Sequence, residues 1–237
     1  IIGIILAGIF LQVPDERTPR PVDLIGFFIA SVAFSGTVFG LSVISLPALP
    51  IIYGYLTIAV GVTAGIFYFL HAKRTPYPLL DPKLLRHRYF RSSITGGSFF
   101  RVGVGAIPFL LPLMLQLGFG LTPFQSGAIT FVSAIGAIVS KFLTEWLYGR
   151  FGFPRVLGLA AIFGGLLIAA QGMFTATTPV PIMMAVLVGG GVLRSVFFTG
   201  SNALGYADVS DEEASQATAI VAVCQQLSVA FGVAVAG

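Results

Sequence analysis

Three ionisable side chains stand inside two long apolar runs between residues 101 and 155: Arg101, Lys141 and Glu145. A fourth, Arg194, stands inside a later run. An ionisable group at membrane depth costs roughly 2.5–3.5 kcal/mol on insertion scales, so it has a partner or serves a pathway. Arg194 is the deepest. Its run continues about ten residues further, roughly 15 Å or half the hydrocarbon thickness. Gly189, Gly190 and Gly191 precede it and allow close helix approach or local unwinding, while Ser195, Thr199 and Asn202 follow as a polar stripe. Arg194 is the leading candidate for lining a cavity, the alternative being a buried structural pair. Arg101 lies about two turns into its run, with Gly105, Pro108, Pro112 and Gln116 near its face. The two prolines leave carbonyls unpaired, which suits a helix meeting protein or a watery cavity. That face is either a solute or proton pathway or an arginine snorkelling to headgroups. Lys141 and Glu145 are four apart and can pair, although Lys before Glu is the weaker orientation. Glu145 is within one turn of the run's end, where a structural or gating pair is expected. The deeper Lys141 has either a transport role or a snorkelling one.

The composition sets the medium these groups occupy. The 237 residues are 56% hydrophobic and 9% charged, where a soluble domain is nearer 25% charged. The lone Cys224 lies in an apolar run, which excludes an intrachain disulfide and a cysteine metal cluster. No metal site or cofactor motif is present, and no nucleotide loop or hydrolase signature. The net charge of +4 sits beside apolar runs, which favours a lipid bilayer over nucleic acid as partner. His71 and His87 fall in a connector and are expected to be solvated. Gln225 and Gln226, in the last run, suit hydrogen bonds between helices.

The runs define an all-α, polytopic helical membrane protein. Ile1–Val13 is too short for a span and reads as the end of a truncated one. The chain begins without Met and stops inside an apolar run, so it reads as a fragment of a longer protein. Spans are predicted near 22–44, 51–70, 94–117, 124–148, 154–175 and 181–204, with another from about Ala217. Gly36 with Gly40, and Gly61 with Gly65, are two GxxxG pairs. Thr122 to Gln125 and Ser210 to Glu213 read as capping boxes. Asp81 is placed to cap a short interfacial helix, with Leu84, Leu85 and Tyr89 toward acyl chains and Lys83, Arg86 and Arg88 toward phosphates. Alternating the spans puts connectors 14–21, 71–92, 148–155 and 205–216 on one side, carrying ten Lys or Arg residues. Connectors 45–50, 118–123 and 175–180 carry none. The positive-inside rule makes the first set cytoplasmic.

Four stretches resemble the major facilitator superfamily, in its fourteen-span drug:proton antiporter branch of the QacA/EmrB type. They are DPKLLRHRYFRSS, FRVGVGAIPFLLPLMLQLGFGLTPFQSGA, YGRFGFPRVL and NALGYADVSDEEASQATAIVAVCQQLSVAFGVAVAG. The third is similar to the superfamily's basic cytoplasmic loop. Arg150, Gly152 and Arg155 match it, while Gly149 replaces its acidic residue and Glu145 its first glycine. The resemblance implies a partial major-facilitator fold. Residues 1–13 would end the sixth span, 14–70 would hold a connector and two linker helices, and 71–92 would be the basic connector. Residues 93–237 would be the C-terminal bundle, truncated in its fifth span. It implies a non-enzymatic, proton-coupled exporter of amphipathic small molecules in the bacterial inner membrane. Its partners would be the substrate, protons and the missing N-terminal bundle. Arg101, Gln116, Lys141, Arg194 and Asn202 would line the pathway, and Glu145, Arg150, Gly152 and Arg155 would form a gating loop. The residues themselves leave two alternatives open: a facilitator for an organic acid, siderophore or sugar, and a scaffold without a transport cycle.

Overall fold

The computed structural model describes residues 22–45 and 49–236. The truncated span at 1–13, the connector at 14–21 and the middle of the turn at 45–50, residues 46–48, lie outside the described residues. Among the described residues, seven helices are long and apolar enough to cross a membrane. They are α1 (Leu24–Ser45), α2 (Ile51–Arg74), α3 (Arg88–Leu113), α4 (Pro123–Phe151), α5 (Phe153–Gln171), α6 (Val180–Tyr206) and α7 (Ala214–Ala236). Each falls on a predicted span, and most run one or two turns further at the basic end. α3 passes through Pro108 and Pro112 and widens into a π-turn at Met114–Gly118. The capping box at α4 is complete. The Thr122 hydroxyl accepts from the Gln125 N–H at 3.3 Å, and the Gln125 side chain accepts from the Thr122 N–H at 3.0 Å. Gly152, at φ +76°, turns the chain from α4 directly into α5.

Glycine sets the closest helix pairs. In the α1–α2 hairpin, Gly36 and Gly40 lie against Gly61, Gly54 and Thr57. Gly136 of α4 meets the Val188 carbonyl of α6, and Gly191 of α6 meets the Ser133 carbonyl of α4. Gly105 of α3 meets the Val229 backbone of α7, and Gly232 of α7 meets the Val102 carbonyl of α3. Of the triple glycine of α6, Gly191 therefore serves close approach, and the helix stays wound there. The second GxxxG pair needs correcting: Gly61 is in the crossing, but a Cβ added at Gly65 would meet only the Ala33 Cβ, at an ordinary 3.9 Å. Gly54, about two turns before Gly61, takes its place.

Two ends are distinct. At the uncharged end, Leu111, Leu115, Ile129, Met183 and Leu187 form a buried cluster. At the basic end, directional bonds join the connectors. Asp208 accepts from the Tyr89 and Phe90 N–H groups at 3.0 and 3.3 Å, which caps α3 from a distant loop. The Gln216 side chain donates to the Pro78 carbonyl at 3.0 Å, and His87 lies 3.7 Å from Glu213. These bonds place connectors 71–92 and 205–216 at one end, as the charge partition requires.

Several local expectations change. The Asp81 cap exists, accepting from the Lys83 N–H at 2.9 Å, but it opens a 3₁₀ turn at Pro82–Arg86. Leu84 is buried with Phe90 and Ala217, so the turn is anchored in protein, and only Leu85 and Tyr89 stay exposed. The histidines are partnered. His71 sits 2.9 Å from Asp23, closing the basic end of the α1–α2 hairpin, because the two helix ends converge there. The second capping box is half formed. Both the N–H and the hydroxyl of Ser210 donate to the Glu213 carboxylate, while the Glu213 N–H goes to the Ser210 carbonyl at 3.0 Å instead of to the hydroxyl.

Two predictions follow from the hairpin. Gly61→Leu forces α1 and α2 apart and costs roughly 1–3 kcal/mol of overpacking. Thermal unfolding of the full-length protein in detergent reads the loss, while Gly65→Leu leaves the midpoint in place. Equal losses would contradict this register. Burial opposes the Asp23 charge, but bonds from the Gly26 N–H and His71 outweigh it and hold the carboxyl below its ordinary value. A lowered carboxylate pKa stabilises above the unfolded value of about 3.9 and loses that contribution as pH falls through the folded value. Asp23→Asn is therefore less stable than wild type at pH 7. The gap closes below about pH 4 in melting curves run from pH 3 to 7.

Candidate functional site

α3, α4, α5 and α6 enclose a cavity of about 260 Å³. Its polar lining is Arg194 and Gln171, with Thr130 and Ser133 on α4. Phe100, Pro108 and Pro112 form much of the facing α3 wall. The geometry follows from α6. Gly191 presses onto α4 at the crossing, and Arg194, close to one turn later, is turned off that contact into the cavity. Ser195, one position on, faces α4 and accepts a hydrogen bond from the Ser140 hydroxyl at 2.6 Å. Pro108 and Pro112 lack the N–H groups that would bond the carbonyls of Val104 and Pro108. Both of those residues line the cavity, so its α3 wall includes carbonyls without their usual helical donors.

Arg194 is near the middle of its helix, half-buried, and makes no ion pair or hydrogen bond among the described residues. It is the only ionisable residue in the cavity lining. Arg101 belongs to the same α3 face as Pro108 and Pro112 but does not line the cavity. Its guanidinium lies over the Phe198 ring, 4.3 Å from the centroid, one turn of α6 nearer the basic end than Arg194. Gln116 is half-buried in the π-turn and outside the cavity. Lys141, Glu145 and Asn202 are exposed. Among the described residues Lys141 and Glu145 form no ion pair; both are exposed, and their order along the helix is the weak one. The polar stripe after Arg194 therefore divides, Ser195 packing on α4 while Asn202 faces outward. Arg150 ends α4 and Arg155 opens α5 around Gly152, all at the basic end.

Sequence reasoning missed two residues. Gln171 is 8% exposed at the end of α5 and donates to the Leu167 carbonyl at 3.2 Å. A lone amide in the run LLIAAQGM was its signal. Tyr148 is buried, donates to the Val196 carbonyl at 3.0 Å and stacks on Phe153, tying α4, α5 and α6 together below the cavity.

Seven membrane-length helices among the described residues, four of them lining a partly polar cavity, define a multi-pass membrane protein. The family model of the Major Facilitator Superfamily matches residues 94–237, and the chain belongs to that superfamily. It is 30% identical over 238 residues to the "Putative multidrug resistance protein MdtD" of Pectobacterium atrosepticum, covering 100% of this chain and 51% of that protein. The Shigella sonnei protein of the same description is 32% identical over 249 residues, covering 100% and 50%. One from Escherichia coli is 31% identical over 249 residues, with the same coverage. The chain spans about half the length of the curated relatives it matches.

A water-filled cavity predicts selective labelling. In a Cys224→Ser background, Thr130→Cys reacts with a charged thiol reagent, because the thiolate forms where water reaches it. Ile162→Cys, on the outer surface of α5 where Ile162 is 61% exposed, stays unlabelled in lipid. Labelling at neither position would mean that the cavity is dry.

Proposed function

We propose that this chain is the C-terminal part of a secondary transporter that exports amphipathic small molecules by alternating access. The observation that carries this reading is the unpartnered Arg194 in an enclosed cavity at mid-depth, where transporters of this kind hold their substrates. Phe100, Ile107, Leu111 and Ile168 supply apolar surface, and Arg194, Gln171, Thr130 and Ser133 supply polar contacts. That mixture suits a solute with an apolar body and a polar head. The description of the relatives as putative multidrug resistance proteins is consistent with it.

In this reading residues 14–70 supply a connector and two linker helices, and 93–237 form a bundle that rocks against a first bundle of the full-length protein. Arg101 and Gln116 flank the cavity at its two ends. Lys141 and Asn202, exposed here, meet the other bundle. Glu145, Arg150, Gly152 and Arg155 form the gating loop at the cytoplasmic end, and the membrane is the bacterial inner membrane. Protons drive the export.

One observation favours a second reading. The cavity lining holds a cation and no carboxylate, which suits an organic acid better than a cationic drug. Efflux from energised vesicles of the full-length protein tests both. Arg194→Gln is expected to lower export at least tenfold, and collapsing the proton gradient to abolish it. Export of cationic dyes that survives Arg194→Gln, with loss confined to acids, selects the second reading. Efflux indifferent to the gradient removes proton coupling.

A further inference from the structure

The α1–α2 hairpin carries a feature apart from the Arg194 cavity. Its helices touch at the glycine crossing and close again at Asp23 and His71. Between the two closures lies a groove of about 770 Å³. Its walls are Phe28, Ile29 and Val32 of α1 and Ala64, Phe67 and Leu70 of α2. At the basic end it finishes on His71 and Arg74. The Asp23 carboxylate is engaged by His71 and by the Gly26 N–H. Arg74 is exposed and makes no ion pair among the described residues. The neighbouring Lys73 is outside the groove, its ammonium 4.3 Å from the Phe69 ring centroid.

Depth identifies the occupant. From Ala64 to Arg74 the helix rises about 15 Å, at 1.5 Å per residue. That is half of the roughly 30 Å hydrocarbon core, the thickness of one leaflet. A transmembrane helix is about 10–12 Å across and runs the full core, but this groove is shut at mid-depth by the glycine crossing. An acyl chain from one leaflet matches both the length and the apolar walls. The open end then lies at headgroup level, where a planar guanidinium binds phosphate through two parallel hydrogen bonds. Cationic pockets between helices on the cytoplasmic side attract anionic headgroups.

We propose that this groove binds one anionic phospholipid of the leaflet at the basic end, its acyl chain between α1 and α2 and its phosphate on Arg74. The test uses the full-length protein in nanodiscs of phosphatidylglycerol and phosphatidylcholine, with the lipids it retains counted by native mass spectrometry after extraction. Wild type is expected to keep one phosphatidylglycerol in preference to phosphatidylcholine. Arg74→Gln, at an exposed position that leaves folding alone, cuts that retention at least fivefold, and Lys73→Gln does not. Val32→Trp fills the groove and removes both lipids, with thermal unfolding confirming that the variant is folded. Equal retention of the two lipids overturns the proposal, as does retention insensitive to Arg74→Gln. A photocrosslinker at Val32 that captures another part of the protein in place of lipid overturns it too.

Discussion

In a bilayer, apolar side chains gain little by leaving lipid for one another, so helix association rests on close packing and on the few polar contacts that bridge helices. Here the close packing is glycine against backbone. The α1–α2, α4–α6 and α3–α7 pairs each have a glycine of one helix on the backbone of the other, and the contact is answered from the opposite side. A side chain at Gly136, Gly191 or Gly232 would collide with a carbonyl that cannot move without its helix. These contacts fix rotation as well as distance. Once Gly191 is set on Ser133, the direction of every other α6 side chain is determined, and Arg194 has to leave the α4 seam.

The cavity is a consequence of that rotation. α4 and α6 are drawn tightly together, while α3 meets α6 through larger side chains. Phe100 packs 4.3 Å from Phe197, centroid to centroid, and holds α3 off at the level of Gly164. Space opens about two to three turns further along, where α3 carries Pro108 and Pro112 and its wall has carbonyls lacking their usual donors. The same proline-rich segment then widens into the π-turn, whose Leu115 is fully buried in the cluster at the uncharged end.

Much of this was legible in the sequence, and the limits are physical. Apolar run length found all seven described helices, because a 30 Å core imposes its length on any helix that crosses it. The partition of Lys and Arg found the two ends, because each span inverts the side. Arg194 was found because charge in an apolar run is conspicuous. The contacts that join elements distant in sequence were not legible. Asp208 caps α3 from more than a hundred residues away, and nothing local in YADVSDEEAS separates it from its acidic neighbours. His71 looked solvated because its partner, Asp23, precedes it by a whole hairpin. Leu84 looked interfacial because periodicity cannot tell an acyl chain from Phe90 and Ala217 as its surroundings. Gly65 satisfied a spacing rule but lay past the point where α1 and α2 diverge.

Arg194 separates a structural from a functional account of the cavity. A buried guanidinium that served packing would be expected to have a carboxylate or several carbonyls around it, since removing it from water without them costs several kcal/mol. Arg101 shows one milder solution in the same bundle: it is spread over the Phe198 ring, one turn of α6 nearer the basic end. Arg194 has neither arrangement. It is deeper, its cavity holds no acid, and its polar neighbours Gln171, Thr130 and Ser133 are committed to the backbone of their own helices or offer small dipoles. A charge in that setting is tolerated when water or a ligand completes its coordination. The cavity leaves room for either, which supports the proposed role of Arg194 in binding what enters the bundle.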